Sequence, residues 1–274
     1  MRRIFLLSVI FLALVLQSMI ATAIVPQRYI KTQYPINFTI SSFNKVIESG
    51  RYQGEDLAEL YWERAVQYGD LHHYDEAIAD YDKAIELKPK FIAAYLNRAV
   101  ARARLEKYDA AFADFAVVLE MNPNNVAALN SRAMLNFLLG KYQDAINDFS
   151  RYLKLRPDDI YRMLWLYISE KHLNADAPST LPRYLDGVSL DLWPGAVVRL
   201  YLGQVPVENV IKALNDNLAA WSNGSRCEAF FYIGEYFLLQ GNKAEALKYF
   251  RNAVQTKATG YMEYEFAIAY TLKL

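Results

Sequence analysis

The sequence predicts an all-α superhelical solenoid, in which helix-turn-helix hairpins stack on one shared core. Three prolines, Pro89, Pro123 and Pro157, stand 34 residues apart. Small and aromatic residues repeat in step with them, at Ala65, Ala99 and Ala133, at Ala77, Ala111 and Ala145, and at Tyr81, Phe115 and Phe149. A fixed period of this length indicates a repeat architecture, because one hairpin cannot bury its apolar face without a neighbour.

Each predicted hairpin occupies one unit of the repeat, and the three units are 58–91, 92–125 and 126–159. Alanine recurs where the paired helices cross, since a methyl group permits close approach, and an aromatic ring fills the space beyond the crossing. Proline ends each unit because it lacks an N–H group and cannot continue a helix. Gly140 is expected to end the first helix of the third unit.

This pattern resembles the tetratricopeptide repeat, a helix-turn-helix unit of the same length. The resemblance implies a solenoid whose inner face binds other proteins. It therefore favours a binding scaffold over an enzyme.

The N-terminus is typical of an export signal. Arg2 and Arg3 precede an apolar run over 4–16, and Ala21-Thr22-Ala23 has the small-residue pattern of a cleavage site. Residues 1–23 are therefore predicted to be a signal peptide that is cleaved after Ala23. The alternative is an uncleaved membrane anchor.

Residues 24–57 are predicted to form an extended lead and a short amphipathic helix. Thr39 or Ser41 would cap this helix and Gly50 would stop it. Asp56 is then a candidate N-cap for the first repeat.

The chain beyond the third repeat is less regular. Residues 160–226 are predicted to be an irregular helical segment, with helices over 160–173, 192–202 and 207–218. The repeat pattern returns at 227–260 without its proline, and a capping helix over 261–274 completes a C-terminal segment of 227–274. Terminal units of a solenoid are expected to be atypical because they cover its open end.

Composition argues against several classes of function. Lys+Arg and Asp+Glu both number 30, so there is no basic excess to hold nucleic acid. The one cysteine, Cys227, cannot form an intramolecular disulfide and is expected to be a buried structural thiol at the start of a helix. The histidines lack metal-ligand spacing, and no phosphate-binding loop or nucleophile motif occurs. No catalytic residue, cofactor or metal ligand is predicted.

An arginine and an aspartate recur on the facing helices of each repeat. The three predicted pairs are Arg64 with Asp80, Arg98 with Asp114, and Arg132 with Asp148. Bidentate arginine–carboxylate pairs fix two helices in register. We therefore interpret them as structural and not as a binding ladder.

The candidate binding site is the inner face of the first helices of the repeats. It is predicted to be an apolar trough lined by Trp62, Val66, Leu96, Val100, Arg104, Asn130, Met134 and Phe137. Trp62 is the expected anchor, because indoles often dominate interface energetics. The alternative is that Trp62 and Phe137 are covered by the N-terminal helix or by a second subunit.

Several short motifs resemble the NlpI family of bacterial envelope lipoproteins, which are built of tetratricopeptide repeats. The motifs are Tyr61-Trp62-Glu63-Arg64, Arg162-Met163-Leu164-Trp165-Leu166-Tyr167, Leu200-Tyr201-Leu202-Gly203 and Phe231-Tyr232-Ile233-Gly234-Glu235-Tyr236. The likeness covers roughly residues 40–274. It implies a homodimeric adaptor in the cell envelope that brings a tail-specific periplasmic protease to a peptidoglycan hydrolase and so limits cell-wall cleavage.

The sequence departs from that family in lacking a cysteine near the predicted cleavage site. A periplasmic form without a lipid anchor, or one held by its signal segment, is implied instead. A scaffold for a secretion or surface-assembly machine is an alternative within binding proteins. An enzyme with a site in 160–220 is a more remote alternative, since Asp176, Asp186, Asp191 and Arg199 show no catalytic spacing.

Overall fold

A computed structural model describes residues 39–176, 180–216, 222–259 and 261–274, and this part of the chain is helical with no strand. The predicted signal peptide lies outside the described residues. The helices, in chain order, are α1 Ile40–Glu48, α2 Gly54–Asp70, α3 Tyr74–Leu87, α4 Ile92–Arg104, α5 Tyr108–Met121, α6 Val126–Leu138, α7 Tyr142–Leu155, α8 Ile160–Leu173, α9 Leu181–Tyr184, α10 Gly195–Tyr201, α11 Val207–Asp216, α12 Asn223–Leu239, α13 Lys243–Gln255 and α14 Met262–Lys273.

The described chain divides into two compact units, 39–132 and 133–274. The boundary falls inside α6, within the third predicted repeat. In the first unit, α2 packs on α3 and α4 on α5, and α3 also packs on α4. In the second unit, α7 packs on α8, and α12 packs on α13 and α14.

The helix ends follow from local sequence. The second helices of the three repeats end at Leu87, Met121 and Leu155, in each case two residues before the repeat's proline. Because the residue before a proline is driven out of the α region, the helix ends there. The regular prolines therefore mark the regular ends of the second helices.

The turn inside each hairpin also repeats. His72, Glu106 and Gly140 stand 34 residues apart and have φ of 63°, 58° and 72°, and Gly241 in the last hairpin has φ of 76°. Positive φ is readily adopted by glycine, whereas it costs other residues about 1–2 kcal/mol. One backbone conformation is thus kept at this position although its residue type varies.

The crossing alanines are buried as their spacing predicts. Ala65 and Ala77 in the first hairpin have no exposed surface, and the ring of Tyr81 beyond them is 3% exposed. In the last hairpin the place of Ala65 is taken by Gly234. A Cβ there would lie 2.6 Å from the Phe250 ring, so only glycine fits without displacing that ring.

Helix α1 packs on α2 at the start of the described chain. Its N-cap is Thr39, whose side chain accepts a hydrogen bond from the Ser42 N–H, as expected. The helix ends at Glu48, before Gly50 with φ of 67°. Asn44 accepts a hydrogen bond from Arg64 at 2.8 Å, so α1 gives α2 a polar contact on its outer side.

The first helices of the terminal hairpins begin earlier than the repeat spacing predicts. The N-cap of α2 is Gln53, which corrects the expectation of Asp56, and α12 begins at Asn223, so Cys227 lies inside the helix. Each of these helices has 17 residues, whereas α4 has 13. A Ser222 cap explains the added turn of α12, because its Oγ accepts a hydrogen bond from the Ser225 N–H.

The described residues between α8 and α12 form short helices joined by irregular chain. α9 is a single turn of four residues, and α10 covers only Gly195–Tyr201 of the helix predicted over 192–202. Gly195 lies so close to the Leu190 backbone that a Cβ would be 1.9 Å from its carbonyl oxygen. The chain therefore turns back closely on itself at the start of α10.

No helix within the described residues is long and apolar enough to span a membrane.

Candidate functional site

The inner wall, as we define it, consists of Trp62 and Val66 on α2 with Leu96 and Val100 on α4. The two helices are neighbours in the first unit, and each pair is four residues apart and so lies on one helix face. Val66 and Val100 are half-buried. Trp62 and Leu96 are each 8% exposed, and Val66 packs against the core cluster that contains Trp62.

The expected open trough needs correction, because its largest side chains are buried. Trp62 belongs to the core of the first hairpins, and its ring centroid lies 5.7 Å from that of Phe91. Arg104 has no exposed surface, and its guanidinium lies 5.9 Å from the Tyr74 ring centroid. Asn130 is 5% exposed. The repeat period places these residues correctly on their helices, but helix packing covers them.

Met134 and Phe137 lie in the second unit and are each 2% exposed. Phe137 is the centre of an aromatic cluster, with edge-to-face contacts to Trp165 at 4.9 Å and Phe266 at 5.7 Å between ring centroids. Such pairs stabilise a core beyond their buried area. Phe137 is therefore a core residue of this unit, and the expectation that it lines an open trough is wrong.

The same cluster contains a buried histidine–glutamate contact. The Nε2 atom of His172 lies 3.0 Å from Oε2 of Glu235, and the imidazole stacks on Tyr142 at 4.9 Å. Glu235 has no exposed surface. The contact joins α8 to α12 inside the second unit, and the His172 side chain is 15% exposed.

The first arginine–aspartate pair joins α2 to α3. Arg64 donates two hydrogen bonds of 2.7 Å to Asp80, through Nε and Nη2. Those bonds are the main reason that the pKa of Arg64 is raised. Its guanidinium also lies 5.4 Å from the Tyr61 ring centroid. This geometry fixes the two helices in register.

The second pair extends into a network. Arg98 donates to Asp114 at 2.9 and 2.7 Å, and Arg102 donates to the same carboxylate at 2.7 Å. Asp82 of the preceding hairpin also accepts a hydrogen bond from Arg98. The network therefore links consecutive hairpins as well as the helices within one hairpin. For the third pair, Asp148 is 2% exposed, and its bonding to Arg132 stays a prediction.

The inner face also carries glutamates that the sequence interpretation did not single out. Glu59 and Glu63 precede and follow Trp62 on α2, and Glu63 is 9% exposed. The pKa of Glu63 is raised, first by burial and then by the charge of Glu59. The signal in the sequence was the spacing of Glu55, Glu59 and Glu63, one every four residues.

A second set of buried carboxylates lies in the second unit. Glu228 accepts hydrogen bonds from the Tyr161 hydroxyl and the Trp193 indole, and Glu263 accepts one from Tyr232 at 3.1 Å. Burial, followed by repulsion from Glu228, raises the pKa of Glu263 to about 7. This pair holds α8, α12 and α14 together through polar contacts.

The remaining chemistry-bearing groups do not converge. Within the residues that the structure describes, no three His, Cys, Asp or Glu side chains could jointly hold a metal ion. Cys227 is fully buried, and burial raises the pKa of its thiol to about 12. Such a thiol is a poor nucleophile at neutral pH.

Comparison with known proteins identifies the type of repeat in this chain. Residues 67–105 match a family model described as a TPR repeat, and residues 115–160 and 228–256 match models described as tetratricopeptide repeats. The fold is similar to that of a tetratricopeptide repeat protein from Parabacteroides merdae, with a TM-score of 0.55, 19% identity, and coverage of 79% of this chain and 85% of that one. The predicted fold class is confirmed: the chain is an all-α protein with tetratricopeptide repeats.

A relative confirms the more specific resemblance. The chain is 27% identical over 250 residues to a Haemophilus influenzae protein described as a lipoprotein NlpI homolog, across 89% of this chain and 78% of that protein. A solved structure of the first TPR of Spaghetti (RPAP3) bound to an HSP90 peptide matches 44% of this chain and 98% of its own, at 28% identity and a TM-score of 0.42. The resemblance of this chain to an NlpI homolog is thus confirmed over most of its length.

Proposed function

We propose that this chain is an exported, non-catalytic adaptor of the bacterial cell envelope that binds polypeptide partners on its inner wall. The NlpI likeness supports the class and the compartment, since it extends over most of the chain. By the same likeness, the partners are a tail-specific periplasmic protease and a peptidoglycan hydrolase, and the adaptor acts as a homodimer. Bringing the two enzymes together would limit cell-wall cleavage.

The observation that carries the proposal is that two faces of α2 and α4 differ in their contacts. The side of α2 and α4 that bears Arg64 and Arg98 is bonded to neighbouring helices. The side that bears Val66 and Val100 has half-buried apolar side chains, and Trp62 and Leu96 on the same helices are buried. Stacked repeats use such a wall to bind an extended segment or a helix of another protein.

The test is capture from envelope extract by the tagged full-length chain. Val66→Gln with Val100→Gln places polar amides on the inner wall, and we expect partner recovery to fall at least tenfold, which corresponds to about 1.4 kcal/mol. The matched control is Ala113→Gln with Ala116→Gln on the exposed side of α5, which should capture as well as the original chain. Circular dichroism of both variants checks that helicity is retained.

The captured proteins decide between the partner assignments. Recovery of a protease together with a peptidoglycan hydrolase supports the adaptor role, whereas recovery of secretion components supports the assembly-scaffold alternative. Equal capture by the inner-wall variant and the α5 variant would remove the inner wall as the binding surface.

A further inference from the structure

The last three helices, α12 to α14, bury nearly all of their carboxylates. Residues 222–259 and 261–274 contain five acidic side chains, of which four are at most 7% exposed: Glu228, Glu235, Glu263 and Glu265. The fifth, Glu245, lies 2.9 Å from Nζ of Lys248. Burial raises the pKa of Glu263 to about 7, so this carboxylate is partly protonated at neutral pH. These helices therefore present little negative charge to solvent.

The basic side chains of the same helices are on the surface. Five of them are exposed: Lys243, Lys248, Arg251, Lys257 and Lys273. Lys248 donates a hydrogen bond to Glu245, whereas the side chains of the other four make no hydrogen bond or ion pair within the described residues. The exposed side-chain charge is therefore strongly positive, although this part of the sequence has six basic and five acidic residues.

The positive charges extend along the whole of α13. Lys243 is its first residue, Arg251 lies about two turns further on, and Lys257 follows two residues after its end. A helix of 13 residues is about 20 Å long. Glu208 of α11 acts electrostatically on Tyr249, but Tyr249 is two residues from Arg251 and so faces another side of α13.

Helix α14 adds an apolar strip. Tyr261, Tyr264, Ile268 and Leu272 are three or four residues apart and so lie on one face. Tyr261 is 37% exposed and Leu272 is 44% exposed, while Tyr264 and Ile268 are half-buried. A surface helix normally turns its charged residues outward. In α14 both glutamates are buried, and tyrosine and leucine are exposed in their place.

Basic groups beside exposed tyrosine and leucine match the surface of an anionic phospholipid bilayer. Lysine and arginine are attracted to lipid phosphates, and tyrosine and leucine enter the layer between headgroups and acyl chains. An acidic polypeptide would satisfy the charges as well. The charges and the strip are spread over two helices, however, and a lipid surface offers phosphate and apolar groups over its whole area.

The basic surface, as we define it, consists of Lys243, Arg251, Lys257 and Lys273 with Tyr261 and Leu272. We propose that the basic surface binds anionic phospholipid at a membrane face of the cell envelope. The basic side chains contact lipid phosphates, and Tyr261 and Leu272 reach between the headgroups. This site goes beyond the proposed partner binding, since it lies in the second unit and the inner wall lies in the first. It rests on the proposed export alone, which brings the chain to the envelope membranes.

The probes are vesicles of phosphatidylcholine, either pure or with about one quarter phosphatidylglycerol. Cosedimentation with the full chain should give a partition coefficient at least about tenfold higher for the anionic vesicles. The preference should shrink as salt rises from about 50 to about 500 mM, because salt screens surface charges.

Two variants locate the contact. Arg251→Gln with Lys257→Gln should weaken binding to the anionic vesicles about tenfold, since each basic group near an anionic surface strengthens binding severalfold. Leu272→Gln should weaken it roughly threefold by removing an apolar contact. All of these positions are exposed, and circular dichroism checks that helicity is retained.

Each variant has a matched control in the same unit. Lys154→Gln with Arg156→Gln removes the same two charges from exposed positions at the end of α7, and Leu155→Gln replaces a leucine that is 37% exposed. Both controls should bind the anionic vesicles like the original chain. Every variant keeps the same N-terminus, so the comparison isolates the C-terminal helices.

Two outcomes overturn the membrane site: equal partition into both kinds of vesicle, or equal losses in the basic-surface and α7 variants. A glutamate-rich helical peptide is the second probe. If it binds the original chain and not the Arg251 and Lys257 variant, while the vesicles do not bind, the ligand is an acidic polypeptide and the lipid assignment is wrong.

The proposed function is judged separately. If the Val66 and Val100 substitutions abolish partner capture while the vesicles show no preference, the adaptor role stands and the membrane site is wrong. If those substitutions leave capture intact while the Arg251 and Lys257 variant loses vesicle binding, the membrane site stands and the inner wall is wrong.

Discussion

Replacing Arg64 with methionine should destabilise the protein more than the same replacement of Arg98. Both arginines bond a buried aspartate with two nitrogens, and both changes keep the apolar stem. The two variants differ in the hydrogen bonds that the aspartate keeps after its arginine is replaced. Asp80 accepts bonds only from Arg64 within the described residues, whereas Asp114 keeps the bond from Arg102.

The magnitude follows from burial. The Asp80 side chain is 9% exposed and that of Arg64 is 16% exposed, so Arg64→Met leaves a nearly buried carboxylate without a donor and should cost about 3 kcal/mol. Arg98→Met leaves one charged hydrogen bond in place and should cost about 1.5 kcal/mol. In a chain of this size the losses correspond to Tm decreases of roughly 6–12 °C and 3–6 °C.

The assay is thermal and urea unfolding followed by circular dichroism at 222 nm. A double-mutant cycle with Arg64→Met and Asp80→Asn should give a coupling free energy of about 2 kcal/mol, because the two groups are in direct contact. Partner capture should be unchanged in each folded variant, since the pair lies away from the inner wall. An Arg98→Met loss equal to or larger than that of Arg64→Met would refute the reasoning, as would a coupling below about 0.5 kcal/mol.

Two further predictions concern Gly234 and Glu263 of the second unit, and Gly69 of the first unit serves as the control for Gly234. Gly234→Ala should lower the free energy of unfolding by about 2 kcal/mol, because the new Cβ would lie 2.6 Å from the Phe250 ring. Gly69→Ala meets nothing within 4 Å and should raise it by roughly 0.5–1 kcal/mol. Urea midpoints that move in the same direction for both variants would contradict this account of the packing. Burial raises the pKa of Glu263 to about 7 from 4.5, so the folded state holds a proton that the unfolded state releases. The free energy of unfolding should therefore fall as pH rises from about 4.5 to about 7, and Glu263→Gln should remove that part of the fall. Identical pH slopes for the variant and the original chain, measured by urea unfolding, would contradict the assigned titration.

The parts of the fold that sequence predicted are those set by local chemistry. The helices that end at Leu87, Met121 and Leu155 each end two residues before a proline. Thr39 caps the N-terminus of α1 with its own side chain. Periodic alanines reveal the crossing points, because no larger side chain would let the helices approach. These signals need only the residues of one repeat or its immediate neighbour.

Burial at the site could not be predicted in this way. Phe137 is on the expected helix face, but it is covered by rings from Trp165 and Phe266, which come from distant helices outside the repeat pattern. The contact of Glu228 with Trp193 likewise joins an irregular segment to a repeat. The repeat period shows which residues are equivalent between repeats, but it does not show which side chains from other helices will bury them.

The early starts of α2 and α12 have a related cause. Repeat spacing predicts a helix from its equivalents in the inner repeats, such as α4 with its 13 residues. Gln53 and Ser222 begin helices that are four residues longer than the inner ones. The glutamates of α2 could have been noticed in the sequence from their spacing, but only burial separates Glu63 from the other two.

The most direct test of the central claim is photocrosslinking in intact cells. A benzoylphenylalanine placed at Val66, on the inner wall, should form adducts with a polypeptide partner, and the same group at Ala116 on α5 should form few or none. Adducts that form at Ala116 and not at Val66 would contradict the claim that this protein binds its partners through the inner wall.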